Sequence, residues 1–174
     1  MSTVIGVVEN SGEIWLGADS MASTDEGFIR NFDAQKIFKN GSYTFAYIGS
    51  PRGGQLLREH IFKPPKDINL LPNAIYKQFE DNGALVTDDD SAIGTQCNFL
   101  VVFKKKLYEV YSDFQLNEIV TYTSIGHGSY IALGSLFSTE ELKYTPKERI
   151  DIALKAASRF SSATGPPFVI MKCE

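Results

Sequence analysis

The chain has 174 residues, 43% of them hydrophobic and 22% charged, with a formal net charge of −4. That length and balance suit one globular domain over 1–174 with a continuous core. A net acidic chain without a basic patch argues against nucleic-acid binding, and no apolar run reaches transmembrane length. The N-terminus lacks a basic n-region, so nothing in it signals secretion. Cys97 and Cys173 stand apart in apolar, strand-like segments with no His nearby. They read as buried thiols of a reducing compartment, which points to the cytoplasm and to neither a disulfide nor a metal site.

Met1-Ser2-Thr3-Val4-Ile5-Gly6-Val7-Val8 opens the chain with an apolar, β-branched run that reads as a buried strand. A strand that starts here ties down a terminus that would otherwise fray. If Met1 is removed, which the small Ser2 permits, Ser2 carries a hydroxyl and a free α-amine together. The amine's ordinary pKa of about 7.7–8.0 suits a general base, the arrangement of an N-terminal nucleophile. Met-Ser starts are common, so this stretch does not decide the matter alone.

Glu9-Asn10-Ser11-Gly12 is turn chemistry, and Glu13–Asp19 returns as a second strand that delivers Asp19 beside Ser2. Taken singly, Asp19 reads as a turn cap. Ser20–Phe32 reads as a loop. Ala34–Phe38 and Tyr43–Ile48 pair about an Asn40-Gly41 turn, with Lys36 inside the first strand. Lysine there usually solubilises an edge; a catalytic role requires it to point inward. Gly49-Ser50 leads through Pro51 into a helix reaching Phe62, and N–H groups at such a junction suit an anion or oxyanion.

Leu71–Asp81 is a second helix with Leu71, Ile75 and Phe79 on one face. Asp88-Asp89-Asp90 lacks calcium-loop spacing and reads as a solvated loop. Asn98–Phe103 and Leu107–Tyr111 form a hairpin about the lysine run at 104–106. Ile119–Ile125 is one further strand, ending at Gly126-His127-Gly128-Ser129 before a helix from Tyr130 to Phe137. Thr145-Pro146-Lys147-Glu148 is a capping box whose helix sets Ile150, Leu154, Ala157 and Phe160 on one side. Phe168–Lys172 is a last strand. The order predicts an α+β fold, a four-layer α-β-β-α sandwich with mostly antiparallel sheets.

Ser2-Thr3-Val4-Ile5-Gly6, Ile14–Asp19, Ala34-Gln35-Lys36-Ile37, Ala46–Ser50 and Gly126–Ser129 together resemble the proteasome β-subunit and HslV-type peptidases. These are N-terminal-nucleophile hydrolases, and the five blocks occur in family order across nearly all of the chain. The resemblance implies a threonine-peptidase-like enzyme in which Ser2 attacks a peptide carbonyl, with Asp19, Lys36, Gly49 and Ser129 completing the site. Thr3 is the alternative nucleophile, Ala46 the alternative oxyanion donor, and His127 a neighbour of the terminus. It implies no cofactor, a peptide or unfolded-protein substrate, homo-oligomeric stacked rings, and room for an ATP-dependent unfoldase partner. Two rival readings remain: a non-catalytic ring or scaffold subunit, and an amidohydrolase acting on a small amide. The chain departs from the pattern in having Ser where Thr is usual and His127 where the Gly-Ser-Gly turn has Ser. It also lacks an Asp after the last helix.

Overall fold

A computed structural model describes residues 2–23, 29–31, 35–87 and 93–174. The expectations for Met1 and for the Asp88–Asp90 run fall outside these residues. The chain begins with β1 (Thr3–Val8) and β2 (Ile14–Asp19), followed by the short β3 (Met21–Ser23) and β4 (Ile29–Asn31). Next come β5 (Ile37–Asn40), β6 (Tyr43–Gly49), α1 (Pro51–Glu59) and α2 (Leu71–Asp81). Short β7 (Leu85–Thr87) and β8 (Ile93–Thr95) precede β9 (Cys97–Phe103), β10 (Lys106–Val110), β11 (Leu116–Ile119) and β12 (Tyr122–Gly126). Helices α3 (Ser129–Ser138) and α4 (Pro146–Phe160) and strand β13 (Phe168–Cys173) complete the chain.

Two antiparallel sheets carry the fold, one ordered β12-β1-β2-β13 and the other β11-β10-β9-β6-β5. Side chains alternate across each strand, so each sheet buries both faces. Val4, Leu16, Ala18, Ile37, Ala46 and Leu100 pack between the sheets. Ile5 and Val7 point the other way, onto α3 and α4 through Ala132, Leu136, Ile150 and Leu154. Phe45, Phe99 and Val101 pack against Leu57, Ile75 and Phe79 of α1 and α2. Helix, sheet, sheet and helix therefore stack in four layers, as the element order predicts.

Several boundaries differ from the sequence reading. The segment read as a loop after Asp19 contains the β3–β4 hairpin. The two-residue turn after β5 is Gly41-Ser42, because Asn40 pairs with Tyr43. The Asn40 amide instead donates to the Leu57 and His60 carbonyls at the end of α1. That helix stops at Glu59, not Phe62, since His60 is extended and Phe62 turns into the core. The single strand expected over Ile119–Ile125 is two strands in different sheets, joined where the chain crosses at an exposed Val120. The capping box at Thr145 forms as read. Phe160, however, is 72% exposed: at 100° per residue it lies well off the Ile150–Leu154–Ala157 stripe.

Candidate active site

The β1–β2 register sets Val4 opposite Ala18, which brings Asp19 to the start of β1. Thr3 N–H donates to Asp19 Oδ1 at 2.9 Å. The same oxygen accepts from Lys36 Nζ at 2.6 Å, and Lys36 also donates to the Met21 carbonyl at 2.7 Å. Asp19 Oδ2 accepts from the N–H groups of Met21 and Gly165, each at 3.2 Å. A buried carboxylate thus meets three backbone donors and an ammonium, which is what keeps such a charge tolerable away from water. Lys36 lies just before β5 and points inward; its side chain is 9% exposed and that of Asp19 is 0%. Burial pushes the Lys36 ammonium below its ordinary pKa, and the Asp19 charge and hydrogen bond push back.

Ser2 is buried, and its carbonyl accepts from His127 N–H at 2.9 Å. Alternation along β1 puts Ser2 on the Val4 side, between the sheets, and Thr3 on the Ile5 side, under α3 and α4. The Thr3 hydroxyl is occupied there, accepting from Gly128 N–H at 3.1 Å and pairing with the Thr164 hydroxyl. Gly126 has φ +104°, and a Cβ there would sit 2.0 Å from the Ser2 carbonyl oxygen. Only glycine lets β12 approach Ser2 so closely.

Gly49 ends β6 with φ +94°, and a Cβ would lie 1.8 Å from the Gln96 carbonyl oxygen. Tyr47 N–H donates to the Lys36 carbonyl, whereas Ser50 N–H donates to Gln96 on the β9 side. Bonding direction alternates along a central strand, so Gly49 N–H faces the Lys36 side and Ala46 N–H faces β9. The two candidates for an oxyanion donor are thereby separated: Ala46 is a core residue of the ladder, opposite Leu100. Ser129 is the half-buried first residue of α3, and His127 is exposed, giving its backbone N–H rather than its ring to the site. Ser2, Asp19, Lys36 and the Gly126–Ser129 turn therefore converge on the start of β1. Thr164 is the residue the sequence reading passed over. Its one local signal is a hydroxyl placed directly before Gly165.

No protein-family model and no curated protein matches the sequence. Solved structures do match in fold. Thiobacillus denitrificans BPH in complex with epoxomicin aligns with a TM-score of 0.84 at 19% identity, over 99% of this chain and 98% of that one. Eukaryotic HslV from Trypanosoma brucei aligns at 0.71 and 15% identity, over 98% of each chain. Anbu, an ancestral beta-subunit, from Yersinia bercovieri aligns at 0.70 and 13% identity, over 98% of this chain and 80% of that one. The chain has the fold of these proteasome-like proteins, the N-terminal-nucleophile hydrolase sandwich. Among the described residues, no helix is long and apolar enough to cross a membrane.

Proposed function

We propose that the chain is a peptidase whose nucleophile is Ser2, freed as the terminal residue by removal of Met1. The observation that carries this reading is the buried Lys36–Asp19 pair bonded to Thr3 N–H, one residue from that hydroxyl. Ser2 Oγ attacks the substrate carbonyl carbon while the Ser2 amine, through a water, takes the hydroxyl proton. The amine then gives that proton to the leaving nitrogen, and water hydrolyses the ester left on Ser2. Lys36, held charged by Asp19, lowers the pKa of the amine and hydroxyl beside it. Gly49 N–H serves the developing oxyanion; a donor of this kind is worth about 2.7–4 kcal/mol in the transition state. Ser129 and the Gly126–Gly128 turn line the terminus. Thr3 is the weaker candidate for nucleophile, because its hydroxyl is engaged on the opposite face of the sheet.

Closed homo-oligomeric rings, stacked to enclose the sites, fit this reading, with a peptide or unfolded chain as substrate. Tyr130 and Phe137 of α3, 87% and 71% exposed, favour a further contact over that helix. Whether an ATP-dependent unfoldase feeds such rings is a separate question, answered by adding one. The decisive experiment combines intact mass, peptide hydrolysis and labelling by epoxomicin. We expect a mature chain lacking Met1, one adduct mapped to Ser2, and no hydrolysis by Ser2→Ala. Retained Met1 in an assembled, inactive protein supports the scaffold reading instead, and hydrolysis surviving in Ser2→Ala removes Ser2 as nucleophile.

A further inference from the structure

We propose that Thr164 is a positioning residue for this site, its hydroxyl clamping the terminal strand from behind through Thr3; the proposal rests on the peptidase reading. With Met1 gone, Ser2 ends the chain, and chain ends fray unless they are tied. Three backbone ties hold it: His127 N–H to the Ser2 carbonyl, Thr3 N–H to Asp19, and Gly128 N–H to Thr3 Oγ1. The fourth tie joins two side chains, Thr3 Oγ1 to Thr164 Oγ1, both residues being buried. It is the one that reaches the connection between α4 and β13.

That connection also holds the carboxylate. Gly165 N–H donates to Asp19 Oδ2 at 3.2 Å, and the Gly165 carbonyl accepts from Ser20 N–H at 3.2 Å. The dipeptide Thr164-Gly165 thus grips Thr3 with a side chain and Asp19 with backbone, fixing the nucleophile strand relative to the Lys36 partner. Space around the clamp is tight, since a Cβ on Gly128 would lie 2.5 Å from Thr3 Oγ1 and 2.9 Å from Thr164 Oγ1. Thr164 touches neither substrate nor the reacting atoms in this scheme. Its effect is on orientation, and orientation at a reacting centre is felt steeply in rate.

Thr164→Val keeps the branched shape and removes the hydroxyl, while Thr164→Ser keeps the hydroxyl. The readout is peptide hydrolysis, with kcat counted per epoxomicin-labelled site so that an unfolded fraction does not enter. Thr164→Val should lower kcat by about tenfold to a hundredfold with KM little changed, and Thr164→Ser should restore most of it. Thr3→Val removes the same tie together with the Gly128 bond, so the double variant should lose little more than Thr3→Val alone. Equal kcat in parent and Thr164→Val, or losses that simply multiply in the double variant, overturn the clamp. A parent that neither labels nor hydrolyses overturns the peptidase reading, and the positioning role of Thr164 with it. An active parent with an indifferent Thr164→Val overturns the clamp alone.

Discussion

Strand β2 meets a carboxylate at each end, Glu13 just before it and Asp19 as its last residue, and each carboxylate holds a lysine from a neighbouring segment. At the Glu13 end the partner is Lys172 of β13, and the two side chains are 44% and 48% exposed. At the Asp19 end the partner is Lys36, and the pair is almost wholly out of water. An exposed pair gains little, because water and salt screen it and two long side chains lose freedom. A buried pair loses solvation on both ions, and packed apolar residues in its place are often as stable. The chemistry is the same at both ends, so the difference lies in burial and in what surrounds the ions. The Asp19 end sits beside a hydroxyl and a chain terminus, while the Glu13 end borders a cavity of about 440 Å³ lined by Ser11, Ile14, Val102 and Cys173. A charge pair kept where burial makes it costly fits the catalytic role proposed for Lys36 and Asp19.

Breaking the buried pair should give the largest effect. Lys36→Ala leaves the Asp19 carboxylate without its cation, and Asp19→Asn leaves the Lys36 ammonium without its anion. Stranding one partner of a buried pair costs about 3–5 kcal/mol, so both variants should melt well below the parent and lose hydrolysis. Lys36→Arg keeps the charge but not the compact ammonium geometry, and should recover stability more than activity. Thermal melting and peptide turnover of the three variants side by side provide the check. Three variants that melt and hydrolyse like the parent would mean that burial confers nothing on this pair.

Alkaline titration should separate the two ends by sign. Lys36 has a folded pKa below its ordinary 10.5, so between those values the unfolded chain binds more protons. Its contribution to stability therefore rises with pH through that window. Cys173, at the far end of β13, is pushed by burial from 9.0 up to about 11. Its contribution is fully present below 9.0 and is lost as pH rises towards 11. Burial also pushes the Cys97 thiol up, so it adds to the same loss. Denaturant midpoints measured across this range should fall less steeply in Cys173→Ala than in the parent, and more steeply in Lys36→Met. A slope unmoved by Cys173→Ala would show that this thiol ionises in the folded chain as it does in the unfolded one.

The layers and most elements were legible because they rest on local signals: alternating apolar strands, a capping box at Thr145, and proline at helix starts. The site was legible as far as strand order carries it, since a hairpin necessarily returns Asp19 towards Ser2. Long-range choices were not. Nothing local tells β11 from β12, because the run Ile119–Ile125 stays β-prone while the chain crosses between sheets at Val120. Phe160 is apolar and follows the Ile150–Leu154–Ala157 stripe in sequence, but the helical phase carries it off that stripe at the last turn. The pairing of Thr164 with Thr3 spans 161 positions and depends on how α4 returns to the sheet. No spacing rule reaches that far, and a threonine before a glycine reads first as a loop.

The smallest effect should come from the exposed end, and its smallness is informative. Lys172 holds the Glu13 carboxyl below its ordinary range, chiefly by hydrogen bonding. That contribution is present above the ordinary 4.5 and is lost as pH falls through the lowered value. Solvent reaches both side chains, so screening removes most of it at physiological ionic strength. Lys172 also lies 6.0 Å from the Trp15 ring centroid, so its stem and charge keep a neighbour when Glu13 is neutralised. Glu13→Gln should therefore melt with the parent at physiological salt and differ only slightly at low salt and neutral pH. Peptide hydrolysis should be unchanged, because no bond of Glu13 reaches Ser2, Asp19 or Lys36. If Glu13→Gln instead destabilises the chain as much as Asp19→Asn does, the two ends of β2 are equivalent. The buried pair would then have no claim to a role beyond holding two strands together.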